Sequence, residues 1–190
     1  MMAARVEVVV PMFERVLPFL SPNVVVAWAQ DPWQLLGSRQ LRRQVFCAEQ
    51  GVFEQDDLDE HDARALTIVA LSTVAGMHDR VVGTVRIFET LDPDDATQRA
   101  WYGGRLAVAP EYRRHASAGD RLTIAAVATA RALGARRFLA TVQEANLGFF
   151  LRHHFVPLRT LGVQGRPHAL MEADLRRFHG ADSVLPAVAA

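Results

Sequence analysis

Lysine is absent: all 21 basic side chains are arginine, and 21 aspartates and glutamates balance them to a formal net charge of zero. Without an excess of either sign the chain carries no electrostatic footprint for nucleic acid or for an anionic membrane surface, and a small-molecule partner is expected. The arginine bias is what GC-rich coding produces, and equally what a phosphate site would use. Cysteine is nearly missing; with Cys47 alone no intrachain disulfide can form. No apolar run approaches the ~20 residues of a membrane-spanning helix. The amino-terminal Val8-Val9-Val10 is cut by Pro11 and flanked by Glu7 and Glu14, which spoils a signal peptide's apolar core. A reduced, cytoplasmic setting is expected.

What is present fits one globular domain: 190 residues, 50% hydrophobic and 22% charged, enough to bury a core. Residues 1–22, with Pro11, Pro18 and Pro22, are expected to form an arm that packs on the domain or on a second copy in a homodimer. The domain itself spans residues 23–178. Residues 179–190 are small and apolar without periodicity, and a mobile tail is expected there.

Val24–Ala29 is β-branched and reads as a strand, and Asp31-Pro32 starts a helix as N-cap and first-turn proline. The helix runs to about Glu49, with Leu35, Leu36, Leu41, Val45 and Phe46 as its core face and Arg39, Arg42, Arg43 and Gln44 on the surface. Glu49 to Asp62 holds seven carboxylates and no arginine, the composition of a solvated loop. Strands follow at Leu66–Leu71 and Val81–Phe88, then a polar surface connection over Leu91–Ala100 and a strand at Gly104–Val108. A helix over Gly119–Leu133 stops at Gly134. Phe138–Val142 is a strand, Asn146–His153 a short helix, and Phe155–Leu161 with His168–Leu175 a closing strand pair. The order β-α-β-β-β-α-β-α-β-β predicts an α/β (α+β) fold, a mixed and mostly antiparallel sheet with helices on its faces.

The passage from Gly104 to Leu122 reads strand, loop, helix. A helix that begins after a loop of small residues offers unpaired backbone N–H groups and the positive end of its macrodipole, the setting a pyrophosphate needs. Ala116, Ser117, Ala118 and Gly119 let the backbone approach phosphate oxygens, and Arg113 or Arg114 can add a charge-assisted bond. An ordinary strand-to-helix connection reads the same way.

Arg114-His115-Ala116-Ser117-Ala118-Gly119 resembles the acyl-CoA motif of the GNAT acetyltransferase superfamily, with serine for the first glycine; the register from Arg113 puts Ala116 and Ala118 at the glycine positions instead. Val142 to Phe155 resembles that superfamily's next motif. There the resemblance implies that Asn146, which could also be a helix N-cap, binds the pantetheine arm, with Phe149 and Phe150 beside it. Phe150 falls where many members carry a tyrosine, and a phenyl ring has no proton to give a leaving thiolate. His154 replaces the usual glycine before Phe155. Adjacent histidines on a helix diverge by about 100° and make a poor pair of metal ligands, and no metal is expected.

Arg42 to Phe53 with Asp57, Asp59 and Asp62, Val82–Arg86, Trp101–Val108 and Gly165–Met171 together resemble an uncharacterised bacterial acetyltransferase family encoded beside nitrilase genes. The arginine, phenylalanine and spaced-acid pattern with Arg86 is similar to the acyl-homoserine-lactone synthases, which acylate S-adenosylmethionine. These resemblances imply a GNAT-like sheet with a cofactor cleft between two splayed central strands. They imply acetyl-CoA or another acyl-CoA as donor, held by Leu106, Ala107 and Val108 and by the phosphate turn, and a small-molecule amine as acceptor. Glu49, Glu144 and His168 are the candidates to take the amine's proton. Phe53, Asp59 and Arg86 are candidates for the acceptor side, with Arg86 either orienting an acidic acceptor or bridging to Asp59. Cys47 is either an acyl-accepting nucleophile or core. A protein that binds acyl-CoA without turnover is the rival reading.

Overall fold

A computed structural model describes residues 23–114 and 117–185. The expected arm at 1–22, residues 186–190 of the expected tail, and His115 and Ala116 of the expected phosphate turn lie outside the described residues.

The first helix, α1 (Pro32–Arg42), begins at Asp31-Pro32 as its sequence predicts, and Gln34 reaches back to accept the N–H groups of Asp31 at 3.2 Å and Gln30 at 2.9 Å. It continues as a π-helix, Arg43–Glu49, in which Gln50 N–H donates to the Val45 carbonyl at 3.0 Å. The face it buries corrects the periodicity: Leu35 and Leu36 are exposed, while Gln34, Ser38, Leu41, Arg42 and Val45 are buried. Polar groups can occupy that face because each has a partner, Ser38 with Thr84 at 2.7 Å and Arg42 with Asp57 at 2.8 Å.

The strands are β1 (Val24–Trp28), β2 (Leu66–Val74), β3 (Met77–Leu91), β4 (Arg99–Val108), β5 (Phe138–Gln143), β6 (Phe155–Val163) and β7 (Arg166–Ala173), with α2 (Ala118–Ala132) after β4 and α3 (Leu147–Arg152) after β5. The expected element order forms. Seven strands make one sheet in the order β1-β2-β3-β4-β5-β7-β6, antiparallel throughout except for β4 beside β5.

The connection expected over Leu91–Ala100 shrinks to residues 92–98, because β3 and β4 stay paired out to Leu91 and Arg99. Arg137 holds the shortened loop through Asp92 at 2.8 Å and Asp94 at 3.2 Å.

α1 and α2 cover opposite faces. Thr84 bonds Ser38 of α1, and its neighbour Gly83 faces the other way, where a Cβ would lie 2.8 Å from Leu122 of α2. The core lies mainly between α2 and the sheet, with Leu122, Val127, Ile68, Ile87 and Phe138 almost wholly buried. Of the expected tail, Gly180–Asp182 forms a turn and Val184 packs on the core, its N–H donating to Thr129 Oγ1 at 3.2 Å. Among the described residues no helix is long and apolar enough to cross a membrane.

Candidate functional site

β4 and β5 pair over only three residues, Trp101 with Phe138, Tyr102 with Leu139 and Gly103 with Ala140. Gly103 permits this approach: a Cβ there would sit 2.6 Å from the Phe138 ring. Immediately beyond, Arg105 has φ +54°, and the β3–β4 register shifts so that Arg105 and Leu106 together oppose Val85. This bulge bends β4 away while β5 keeps its pairing with β7. The strands part, and a cleft of about 690 Å³ opens between them. From Gly104 to Val108 the edge of β4 that faces β5 has no strand partner among the described residues, leaving backbone polar groups for an extended ligand to pair with.

Leu106, Ala107, Val108, Arg113, Gly119, Asn146, Phe149 and Phe150 line this cleft. Ala118 is buried at the start of α2, and Ser117 is the N-cap at φ +46° but its hydroxyl makes no capping bond. The first-turn amides of this 15-residue helix are therefore not capped by a side chain among the described residues and keep their positive potential. Gly119 lies close to Phe149 and Val108, at 3.7 and 3.8 Å from a built Cβ, so the helix start meets the end of β4. Asn146 stands at the cap of α3, yet its amide makes no capping bond and has no partner among the described residues. Donor and acceptor are both left available toward the cleft.

The two arginines of the turn differ. Arg113 lines the cleft, donates through Nε to the Val108 carbonyl at 3.1 Å, and forms a two-pronged pair with Glu49 at 2.7 and 2.6 Å. That hydrogen bonding holds the Glu49 carboxyl below its usual range. Arg114 is exposed, with no ion pair among the described residues, and is not part of the lining.

Of the three proton-acceptor candidates only His168 lines the cleft; Glu49 is turned to Arg113, and Glu144 is exposed in the short 3₁₀ turn before α3. His168 Nδ1 lies 2.9 Å from the Arg166 carbonyl. A carbonyl only accepts, so Nδ1 carries the proton and Nε2 of the neutral ring keeps its lone pair. Nε2 has no partner among the described residues. Phe150 packs edge-on against Phe149 and Phe155. His154 adopts φ +59°, the left-handed conformation that accounts for a glycine preference at that place. His153 bonds the Phe149 carbonyl at 2.9 Å and Asp120 at 3.1 Å.

At the residues expected on the acceptor side, the acidic run turns inward. Arg42 bonds Asp57 at 2.8 Å and Asp62 at 2.6 Å; Arg86 grips Asp59 with two contacts of 2.7 Å and Asp62 at 2.6 Å; Arg105 reaches the Asp57 carboxylate at 2.9 Å and Asp59 at 3.2 Å. Arg42, Asp57 and Arg86 are buried, and Arg86 Nε has no hydrogen-bond partner among the described residues. Burial pushes Asp59 and Asp62 upward, but the hydrogen bonds, from Arg86 and Arg42 respectively, and the nearby charges outweigh it and hold both well below the usual range. Asp59 and Arg86 thus form the wall behind the cleft, whereas Phe53 lines it beneath Arg105, whose guanidinium lies 4.7 Å from the ring centre.

Gln50, Gln143 and Arg105 are among the lining residues that the sequence did not single out. Gln143 donates to Gln50 across the cleft at 3.2 Å, a pairing of distant segments that leaves no local signal. Arg105 does have one: tandem Gly103-Gly104 inside a strand marks a bulge or close backbone approach.

Residues 26–155 match the acetyltransferase (GNAT) family. Among similar solved structures, Escherichia coli ElaA is 21% identical with TM-score 0.62, over 80% of this chain and 99% of that one. An acyl-CoA N-acyltransferase from Pseudomonas aeruginosa is 20% identical with TM-score 0.60, over 80% and 99%. TofI, in a ternary complex with an inhibitor and MTA, is 18% identical with TM-score 0.58, over 84% and 98%. At such identities the likeness shows the fold alone. No curated protein matches the sequence significantly.

Proposed function

Since the chain belongs to the acetyltransferase (GNAT) family, whose transferases use acetyl-CoA or another acyl-CoA, we propose that it moves an acyl group, most simply acetyl, to the amine of a small molecule by direct attack. The acyl-CoA supplies an activated thioester carbonyl. The observation that carries the reading is the parting of β4 and β5 at Gly103, with uncapped α2 amides at one side and the unpartnered His168 Nε2 in the same cleft.

In this reading the first turn of α2 holds the pyrophosphate, with Arg113 exchanging Glu49 for a phosphate oxygen. The Asn146 amide and the β4 edge pair with pantetheine. The amine nitrogen bonds to the acyl carbon as the carbon–sulfur bond breaks; His168 Nε2 takes the proton that the nitrogen loses, and the thiolate recovers one from solvent. Phe150 has no proton to supply. Asp59 and Arg86 act as positioning residues that fix the segment carrying Phe53.

The test is acetyl-CoA binding together with amine-dependent CoA release. His168→Asn is expected to lower kcat by about 10²–10⁴-fold, with acetyl-CoA affinity unchanged. An undiminished rate in that variant would overturn the role of His168. Binding without CoA release on any amine would instead support a non-catalytic acyl-CoA-binding protein.

A further inference from the structure

The charges that line the cleft are all of one kind. Among the described residues its ionisable groups are Arg105, Arg113 and His168, and no carboxylate reaches it. Arg113 belongs to the α2 side, already paired with Glu49. Arg105 sits at the bulge where the strands part, over Phe53. The carboxylates nearest to it, Asp57 and Asp59, bond its Nε and Nη2 and are not part of the lining. Nη1 has no partner among the described residues.

We propose that the acceptor is an amine that also bears a carboxylate, an amino acid with an apolar body, and that Arg105 holds that carboxylate beside Phe53. This deepens the transfer reading above and rests on it. A polyamine or other polycation would meet only cationic and neutral groups here, whereas a carboxylate would complete an arginine fork that is half used. Burial and neighbouring Arg86 already disfavour the Arg105 charge, and an arriving anion counters the repulsion from Arg86. The apolar body has Phe46, Val52, Phe53 and Val163 to lie against. The backbone points the same way. Arg105 holds φ +54° directly after Gly104, a conformation glycine would adopt without strain, and strain of this kind collects where a side chain is needed for function.

The test measures acetyl-CoA-dependent CoA release for the proteinogenic amino acids and S-adenosylmethionine, each amino acid beside its carboxamide and its decarboxylated amine. The amino group persists through each series and only the carboxylate is lost. The best acid is expected to exceed its amide and amine by at least about 10-fold in kcat/KM. Arg105→Asn, which tolerates the left-handed backbone, is expected to shrink that preference below about 3-fold with acetyl-CoA affinity unchanged. Carboxylate-free amines used as well as the acids would overturn the proposal and leave the transfer reading standing, as would a preference that survives in Arg105→Asn. No CoA release from any member, with acetyl-CoA still bound, would sink the transfer reading and this inference with it.

Discussion

The two sides of the cleft are built on opposite plans. Behind Phe53, three arginines and three aspartates from α1, β3, β4 and the acidic loop are locked together, with Arg42, Asp57 and Arg86 buried. At the start of α2 the charged groups are few and solvent-facing: Arg113 and Glu49 have side chains 40% and 37% exposed, Arg114 is exposed, and Ser117 leaves the helix uncapped. One wall is finished before any ligand arrives; the other is left for a ligand to finish. In the proposed transfer, preorganisation would suit a side that aims an acceptor, while open amides and a solvent-exposed arginine pair would suit a phosphate that brings its own charge.

That contrast can be broken first at the finished wall. Asp62→Asn leaves the buried guanidinia of Arg42 and Arg86 short of a counter-charge and is expected to cost about 3–5 kcal/mol in chemical denaturation; a loss under about 1 kcal/mol would show that the network is not structural. Acid should erode the same wall. Asp59 and Asp62 titrate lower folded than unfolded, so their contribution is fully present above the ordinary carboxylate pKa and is lost as pH falls through the depressed folded values. Stability should hold from pH ~7 to ~5 and drop below ~4, with Asp62→Asn flattening the slope in a pH series of denaturation midpoints.

The open side should respond in binding instead of stability. Arg113→Ala is expected to weaken CoA about 10-fold in a calorimetric titration while changing stability by less than about 1 kcal/mol. Glu49→Gln removes the carboxylate that competes with phosphate for Arg113, and about 3-fold tighter CoA binding is expected, again with little change in denaturation midpoint. Weaker binding in that variant would show that Glu49 orients Arg113 and does not compete for it.

The sequence made one plan more visible than the other. Element order was legible because apolar runs are punctuated at Pro32, Gly76, Pro110 and Gly134, and the phosphate turn and Asn146 follow local spacing. Of the ion network only the Arg86–Asp59 bridge was legible, as one of two roles for Arg86; the rest read as a solvated loop until Arg42, Arg86 and Arg105, from three different elements, were brought onto Asp57, Asp59 and Asp62. Burial of Ser38 and Arg42 ran against helical hydrophobicity because their partners, Thr84 and Asp57, lie 46 and 15 residues away. The Arg105 bulge left only the tandem Gly103-Gly104 as a local mark, since local preference opposes an arginine at positive φ, and the Glu49–Arg113 pair left none because its partners are 64 residues apart.

The account stands most directly on the α2 amides receiving a diphosphate. Titrating the protein with acetyl-CoA and with acetyl-pantetheine, which keeps the thioester and the arm but lacks the nucleotide, isolates that grip. Acetyl-CoA is expected to bind at least about 100-fold more tightly, an advantage that shrinks in Arg113→Ala; equal affinity for the two ligands would contradict the claim that this helix start is where the donor is held.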